Sequence, residues 1–432
     1  MSTPTASFGR DAASSIARSK NEPAWLVAWR ENAGELASRL ELPKPEKTPI
    51  QRWPLDLYGT DRPGAKVDSA SQLPEALAKL LPAEAGGALI VQHNSSVVYT
   101  HLSDELKAKG VVLTSLEEAA RSHEEIVRKH LMTAYAPDEH KLAALHAALW
   151  NGGVFLYVPR GVEIEEPVQA LLFADDAEAT FVPHVLIVAE ANSRVTVVEN
   201  ASTAVGEAAL VLNGAVEVFA KDGSQVRYAA VHSLEKGAVD VSYRRAVLEQ
   251  NARIEWIVGE LQDGNILSDT KTILKGNGST SDAKIITVGT GKQRMSLTTG
   301  AVHFGLSTES DMITRAVMKE EGTAVINGVT KIEKGATRAN GQQTEKVLML
   351  SPKARGDANP ILLIDEDDVK AGHAASVGQV NAEQVHYLMS RGISKTEAER
   401  LIIYGFLDPV VSEIPLESVR EQLQRILERK LG

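Results

Sequence analysis

The strongest constraint on the fold is a turn that keeps coming back. Polar turns at Asn192-Ser193, Asp222-Gly223, Asn251 and Asn277-Gly278 lie 30, 29 and 26 residues apart by subtraction of their numbers. Each is followed by a run rich in Val, Ile and Thr, at 195–198, 226–231, 254–258 and 284–288. Such runs suit half-buried strands. From Asn151-Gly152-Gly153 to about residue 380 no long amphipathic helix interrupts them. A doubly wound α/β domain, which needs crossover helices, is therefore excluded. A spacing near 30 residues suits the coils of a parallel β-solenoid, each holding several short strands. Roughly seven to nine coils would stack at about 4.8 Å. A β-sandwich is the alternative, because some turns also fall at the closer intervals of hairpins.

Helical patterns flank this region. Trp25, Leu26, Trp29, Leu36 and Leu40 recur near helical spacing after Pro23, and Pro43 and Pro45 end the run. A strand is expected over 88–92, and helices over 116–132 and 138–150. At the other end, Asn381 with Gln384 and Ser394 with Glu397 read as helix-capping pairs, and Gly392 as a helix stop. A last helix is expected from Pro415, with Leu416, Val419, Leu423, Ile426 and Leu427 on one stripe. The chain thus divides into a mainly helical segment 1–150, a β core 151–380 and a helical segment 381–432. Since solenoid ends expose strand edges, the helical segments are expected to cover them. Removal of the last segment is expected to leave the β core folded.

The 432 residues carry 46 basic and 57 acidic side chains, a net charge of −11, so nucleic acid and anionic membranes exert no general attraction. No cysteine is present, which rules out disulfides, thiolate ligands and a cysteine nucleophile from this chain. The apolar runs are too short to span a bilayer and the N-terminal stretch lacks a signal-like apolar core, so a cytoplasmic protein is expected. No phosphate loop, G-x-S-x-G elbow or H-E-x-x-H helix occurs. The His123-Glu124-Glu125 start has Val127 where a second histidine would stand. Glu163, Glu165 and Glu166 read as a solvated turn. The acidic run 365–368, Asp365-Glu366-Asp367-Asp368, precedes His373 and offers oxygen donors beside an imidazole, a set able to hold ferrous iron. On residue chemistry alone, a solvated loop with a structural histidine is the plainer reading.

Longer stretches carry a resemblance. KARGDANPILLIDEDDVKAGHAASVG at 353–378 and YLMSRGISKTEAERLIIYGFLDPVV at 387–411 resemble the SufB/SufD family of the SUF iron–sulfur cluster assembly system. So do DEHKLAALHAALWNGGVFLYVPRGVEIEEPV at 138–168 and VLIVAEANSRVTVVEN at 185–200. EPAWL at 22–26 and LPKP at 42–45 resemble its SufD branch. The resemblance implies a right-handed parallel β-helix core between helical terminal domains. It implies a non-catalytic scaffold subunit of a SufBCD complex, in which protein–protein interaction helps iron acquisition and cluster formation. The core would pair with SufB, and the C-terminal helices would carry the SufC ATPase, where the missing phosphate loop would reside. Leu401, Ile402, Tyr404 and Phe406 are then candidates for the SufC contact or for the core supporting it. The histidine of DDVKAGH, His373, would face SufB as an iron or cluster ligand. Some relatives have Cys where this chain has Ala371, which removes a second ligand. Iron or a cluster would be held transiently at the interface with SufB, with no cofactor on this chain alone. Two copies pairing without SufB is a further expectation. The competing readings are a polysaccharide-active β-helix enzyme and a homo-oligomeric structural solenoid. Against the enzyme stand the 5% aromatic content and the lack of an organised carboxylate pair.

Overall fold

The structure is a computed structural model that describes residues 10–81 and 86–431. Between Val154 and Gln379 the chain winds through eight coils, each placing one strand in each of two parallel sheets. Strands alternate between the sheets along the chain, so every strand pairs with the next but one. Hairpin pairing within one sheet is absent from this region, which removes the sandwich.

The pairing register explains the sequence period. Arg194, Gln225, Arg253, Thr280, Glu309, Asn340 and Lys370 stand in register, at intervals of 31, 28, 27, 29, 31 and 30 residues by subtraction. Two residues before each of the first six lies a corner with positive φ: Asn192, Gly223, Asn251, Gly278, Ser307 and Arg338, at 54–68°. Asparagine and glycine tolerate this left-handed conformation best. The corners are tied to one another. The amides of Asn192, Gly223, Asn251, Gly278 and Ser307 each donate to a carbonyl of the following coil at 2.8–2.9 Å. A Cβ at Gly223 would lie 2.4 Å from Oδ1 of Asn192, so the asparagine of one coil requires the glycine of the next.

Aliphatic rows fill the space between the sheets, including Val154, Leu156, Val185, Ile187, Val195, Val197, Val258 and Ile285. Tyr228 and Trp256 stack edge to face among them at 5.4 Å. The sheets reach back before residue 151. Strands Ala88–His93 and Ser96–Leu102 extend one sheet to ten strands, and Val112–Thr114 completes the nine-stranded one. The expected helix over 116–132 is broken at His123 into Leu116–Ser122 and Glu124–His130. The helix expected over 138–150 runs Lys141–Leu149, capped by His140.

The helical segments do not cover the ends as expected; they lie on the outer faces of the two sheets. Leu26, Ala33, Leu142 and Leu145 pack with Leu186, Val211, Val239 and Tyr243 of the nine-stranded sheet. At the C-terminal end, helices Lys395–Val411 and Glu417–Leu431 place Ile403, Leu407, Val410, Leu423 and Leu427 against Val231, Ile257, Ile286 and Val317 of the ten-stranded sheet. Lys284 with Glu413 at 3.0 Å and Arg429 and Lys430 with Asp263 at 2.6 and 2.8 Å bind these helices to the solenoid. Removing them would strip an apolar sheet face, so the β core is not independent of residues 395–431. The physical reason is area. A sheet with side chains on both faces needs a cover on each, whereas its end needs only hydrogen-bond partners.

Among the described residues, no strand continues either sheet beyond the last coil. Strands Arg355–Ile364 and Lys370–Gln379 form the outer edges of the two sheets, with Leu363, Ile364 and Val377 exposed.

Candidate functional site

His373 belongs to this open coil. It stands in register with Gln343, Met312, Ala283 and Trp256. Residues in register on a parallel sheet point to the same face. The row therefore projects into the space between the sheets, where Trp256, Ala283, Met312 and Gln343 are all buried. His373, last in the row, is exposed because no further coil lies over it. Its imidazole is thus offered at the mouth of the solenoid beside an unpaired strand edge. Ala371 precedes it on the same face, over Gly341.

The acidic run is more structural than its charge suggests. Glu366 accepts the amides of Gly335 and Asp367, both at 2.9 Å, and pairs with Lys334 at 3.5 Å. Those amides hold its carboxyl below the usual range. The carbonyl of Asp368 accepts the amide of Arg338 at 2.5 Å. These contacts tie the last corner to the previous one and leave Asp365 and Asp367 exposed.

The four candidates on the Lys395–Val411 helix differ in exposure, and Phe406 shares the groove that Ile402 lines. Leu401 is 44% exposed, and Ile402 lines a shallow groove with Tyr387 and Leu388. Tyr404 and Phe406 are half-buried against the core that includes the ten-stranded sheet. Arg315 lies over the Phe406 ring at 5.4 Å and donates to its carbonyl. Helix Ala382–Ser390 adds Tyr387, 58% exposed, and Met389 to the outward apolar surface.

Deeper in the solenoid lies a polar network that the sequence reading missed. His232 bonds Asp240 through Nδ1 and Glu199 through Nε2, both at 2.7 Å. Tyr228 donates to Glu199 at 2.6 Å. Arg244 and Ser268 donate to Oε1 of Glu260 at 2.9 and 2.7 Å. Gln262 spans Asp240 and Glu260 at 2.7 and 3.0 Å. Burial works against charge on His232, but Asp240, Glu199 and Glu260 outweigh it and push the imidazole up to about 10. Burial would raise Glu260, yet Arg244 and His232 hold it down at about 2. His232, Asp240 and Glu260 lie close enough to hold an ion together. Both nitrogens of His232 are already committed to carboxylates, and Arg244 supplies the countercharge. The network therefore acts as an internal ionic pin between the sheets. Asp240, Ser242 and Arg244, alternating within an otherwise apolar run, were its sequence sign.

Comparison with known proteins bears on both sites. Residues 172–406 match the SufBD core domain of SUF-system FeS cluster assembly, and residues 86–170 match the SufBD protein N-terminal region. The chain belongs to the SufB/SufD family. It is 46% identical over 96% of its length to the iron-sulfur cluster assembly protein SufD of Bacillus subtilis, covering 96% of that protein. It is 28% identical over 93% of its length to SufB of the same organism, covering 88% of it. A SufBD family protein of Staphylococcus epidermidis is 26% identical over 93% of this chain and 88% of its own. The SufBD core match contains the open coil, His373 and the four candidates of the Lys395–Val411 helix. Among the described residues, no helix is long and apolar enough to cross a membrane.

Proposed function

We propose that this chain is a non-catalytic scaffold subunit in iron–sulfur cluster assembly, joined to a SufB-type subunit through its open coil. The uncovered pair of strand edges, with His373 at the mouth between them, carries this reading. An unpaired edge bears a full row of amide donors and carbonyl acceptors and is a template for another strand. Exposed Leu363, Ile364 and Val377 add apolar surface at the same end. A homologous solenoid docked there would extend both sheets and enclose His373. With no cysteine in the chain, thiolates would come from the partner and a nitrogen ligand from His373. Without that partner, two copies of this chain would pair edge to edge.

His373→Ala should leave the complex with the SufB-type and SufC-type subunits assembled, since one side chain is a small part of a large interface. Iron and acid-labile sulfide on the reconstituted complex should fall sharply. Wild-type content with wild-type spectra would show His373 to be structural only.

The outward face of Ala382–Ser390 and Lys395–Val411 is the surface proposed for a SufC-type ATPase. It presents Tyr387, Met389 and Leu401, the exposed large apolar side chains of these two helices. Leu401→Glu is expected to weaken ATPase capture by about tenfold or more, as for a centrally placed apolar anchor. Tyr404→Phe, on the inward side, should leave capture unchanged. Equal capture by both variants would move the contact elsewhere. Point substitutions are the suitable test here, because truncation would also uncover the ten-stranded sheet.

A further inference from the structure

The interior carboxylate nearest the open coil has one oxygen without a partner. Glu345, on strand Asn340–Met349, is 2% exposed, and its Oε2 makes no hydrogen bond. The other buried acids among the described residues are Glu199, Glu217, Asp240 and Glu260. Each of them is bonded. Glu217, for example, accepts the amides of Met132, Ala134 and Tyr135 at 2.5–3.1 Å. A buried carboxylate with an unsatisfied oxygen and no countercharge is costly. Burial pushes the Glu345 carboxyl up to about 7.

The surroundings are arranged around this group. Glu345 stands in register with Thr314, Ile285, Val258 and Ala230, so it points between the sheets. On the opposite sheet, a Cβ at Gly328 would lie 2.0 Å from Oε1 of Glu345 and 2.8 Å from Oε1 of Gln343. Only glycine leaves room for the carboxylate there, and a second oxygen acceptor crowds the same spot. The residue stacked over Glu345 in the last coil is Ala375, whose side chain is a single methyl group. His373 stacks over Gln343, two positions earlier on the same face. Strand geometry puts the Cα atoms of His373 and Glu345 about 8 Å apart, within reach of a shared ion.

We propose that Glu345 and His373 form a divalent-cation site in the mouth of the solenoid, with Glu345 the inner oxygen donor and His373 the outer nitrogen donor. Gln343 Oε1 is placed to serve as a third donor. An imidazole with hard oxygens suits a first-row divalent ion such as ferrous iron. Binding converts the unpaired carboxylate into a paired one, and a subunit docked on the open coil would close the remaining coordination positions. The inference rests on the reading of the open coil as the place where iron is handled, and adds a residue on this chain that holds it.

The test uses the purified full chain, anoxic ferrous iron, and cobalt(II) as a spectroscopic stand-in. Titration should show one cobalt site whose affinity falls about tenfold or more in Glu345→Gln and in His373→Ala. Ala375→Leu, which adds bulk over Glu345 and removes no donor, should slow or block loading. Glu345→Gln is nearly isosteric, and a melting temperature at or above wild type at pH 8 would show that its loss of binding is local. Wild-type cobalt affinity and spectrum in Glu345→Gln would overturn the proposal. If His373→Ala abolishes cluster formation on the complex while Glu345→Gln binds cobalt normally, this inference fails and the scaffold reading stands. If Glu345→Gln loses cobalt while His373→Ala binds it and builds clusters normally, the paired site fails together with the ligand role of His373.

Discussion

Two polar regions share the interior of one solenoid and differ in almost every other respect. Around His232 the carboxylates of Glu199, Asp240 and Glu260 are matched by an imidazolium, a guanidinium and neutral donors. At the mouth, Glu345 has a bare oxygen and His373, on the same inward face, is exposed. The first region is enclosed by coils on both sides; the second lies within the last two. Buried ionic groups that are fully paired hold a structure in one arrangement, whereas an unpaired one costs stability. Polar residues inside this fold therefore do not mark function by themselves. The proposed site rests instead on a carboxylate oxygen without a countercharge, one coil below the open end.

Breaking the closed region should produce the largest effect. Arg244→Met leaves Glu260 buried without its guanidinium and should destabilise the chain by about 3 kcal/mol or more. Denaturant unfolding would measure it, and a loss under about 1 kcal/mol would mean that the network is not a pin.

A pH series sharpens the contrast at intermediate size. His232 is raised from 6.5 to about 10 in the folded chain, so its contribution is fully present below pH 6.5 and is lost as pH rises through about 10. Glu260 is lowered from 4.5 to about 2, so its contribution is present above pH 4.5 and is lost as pH falls through about 2. Stability from the closed region should thus be flat between pH 4.5 and 6.5 and decline on both sides, toward about 2 and about 10. His232→Gln should flatten the alkaline decline; an unchanged alkaline limb would assign it to other groups.

The smallest effect is expected at the mouth, with opposite sign. Glu345 is raised from 4.5 to about 7, so the folded state favours its neutral form. The stability that comes with protonation is present below pH 4.5 and is lost as pH rises through about 7. Glu345→Gln should therefore melt with wild type at pH 4.5 and above it at pH 8, by on the order of a few degrees. A lower melting temperature at pH 8 would indicate a partner for the carboxylate and remove the contrast between the two regions.

The coil period could be read in advance because each corner needs a left-handed residue, and Asn192, Gly223, Asn251 and Gly278 supply it in the local sequence. The capped helices after Asn381 and Ser394 were legible for the same local reason. His373 was reached through family resemblance, since nothing in its spacing separates it from ten other histidines. Glu345 was not reached at all. In QQTEKV it looks like any charged residue on a strand, and only pairing register decides which alternate residues turn inward. The same ambiguity hid the exposure of Leu401 and the burial of Ile403 and Leu407 on one helix.

By itself the sequence determined the turns, the strand-rich runs, the helix caps and the absence of any thiolate. These depend on residue conformational preferences and on chemistry carried by single side chains. Only the tertiary structure decided that the helices cover sheet faces, that the last coil stays open, and that Glu345 lies unpaired beneath it. Those outcomes depend on contacts between residues far apart in the chain, where sheet register and available apolar area choose among arrangements that local sequence permits equally.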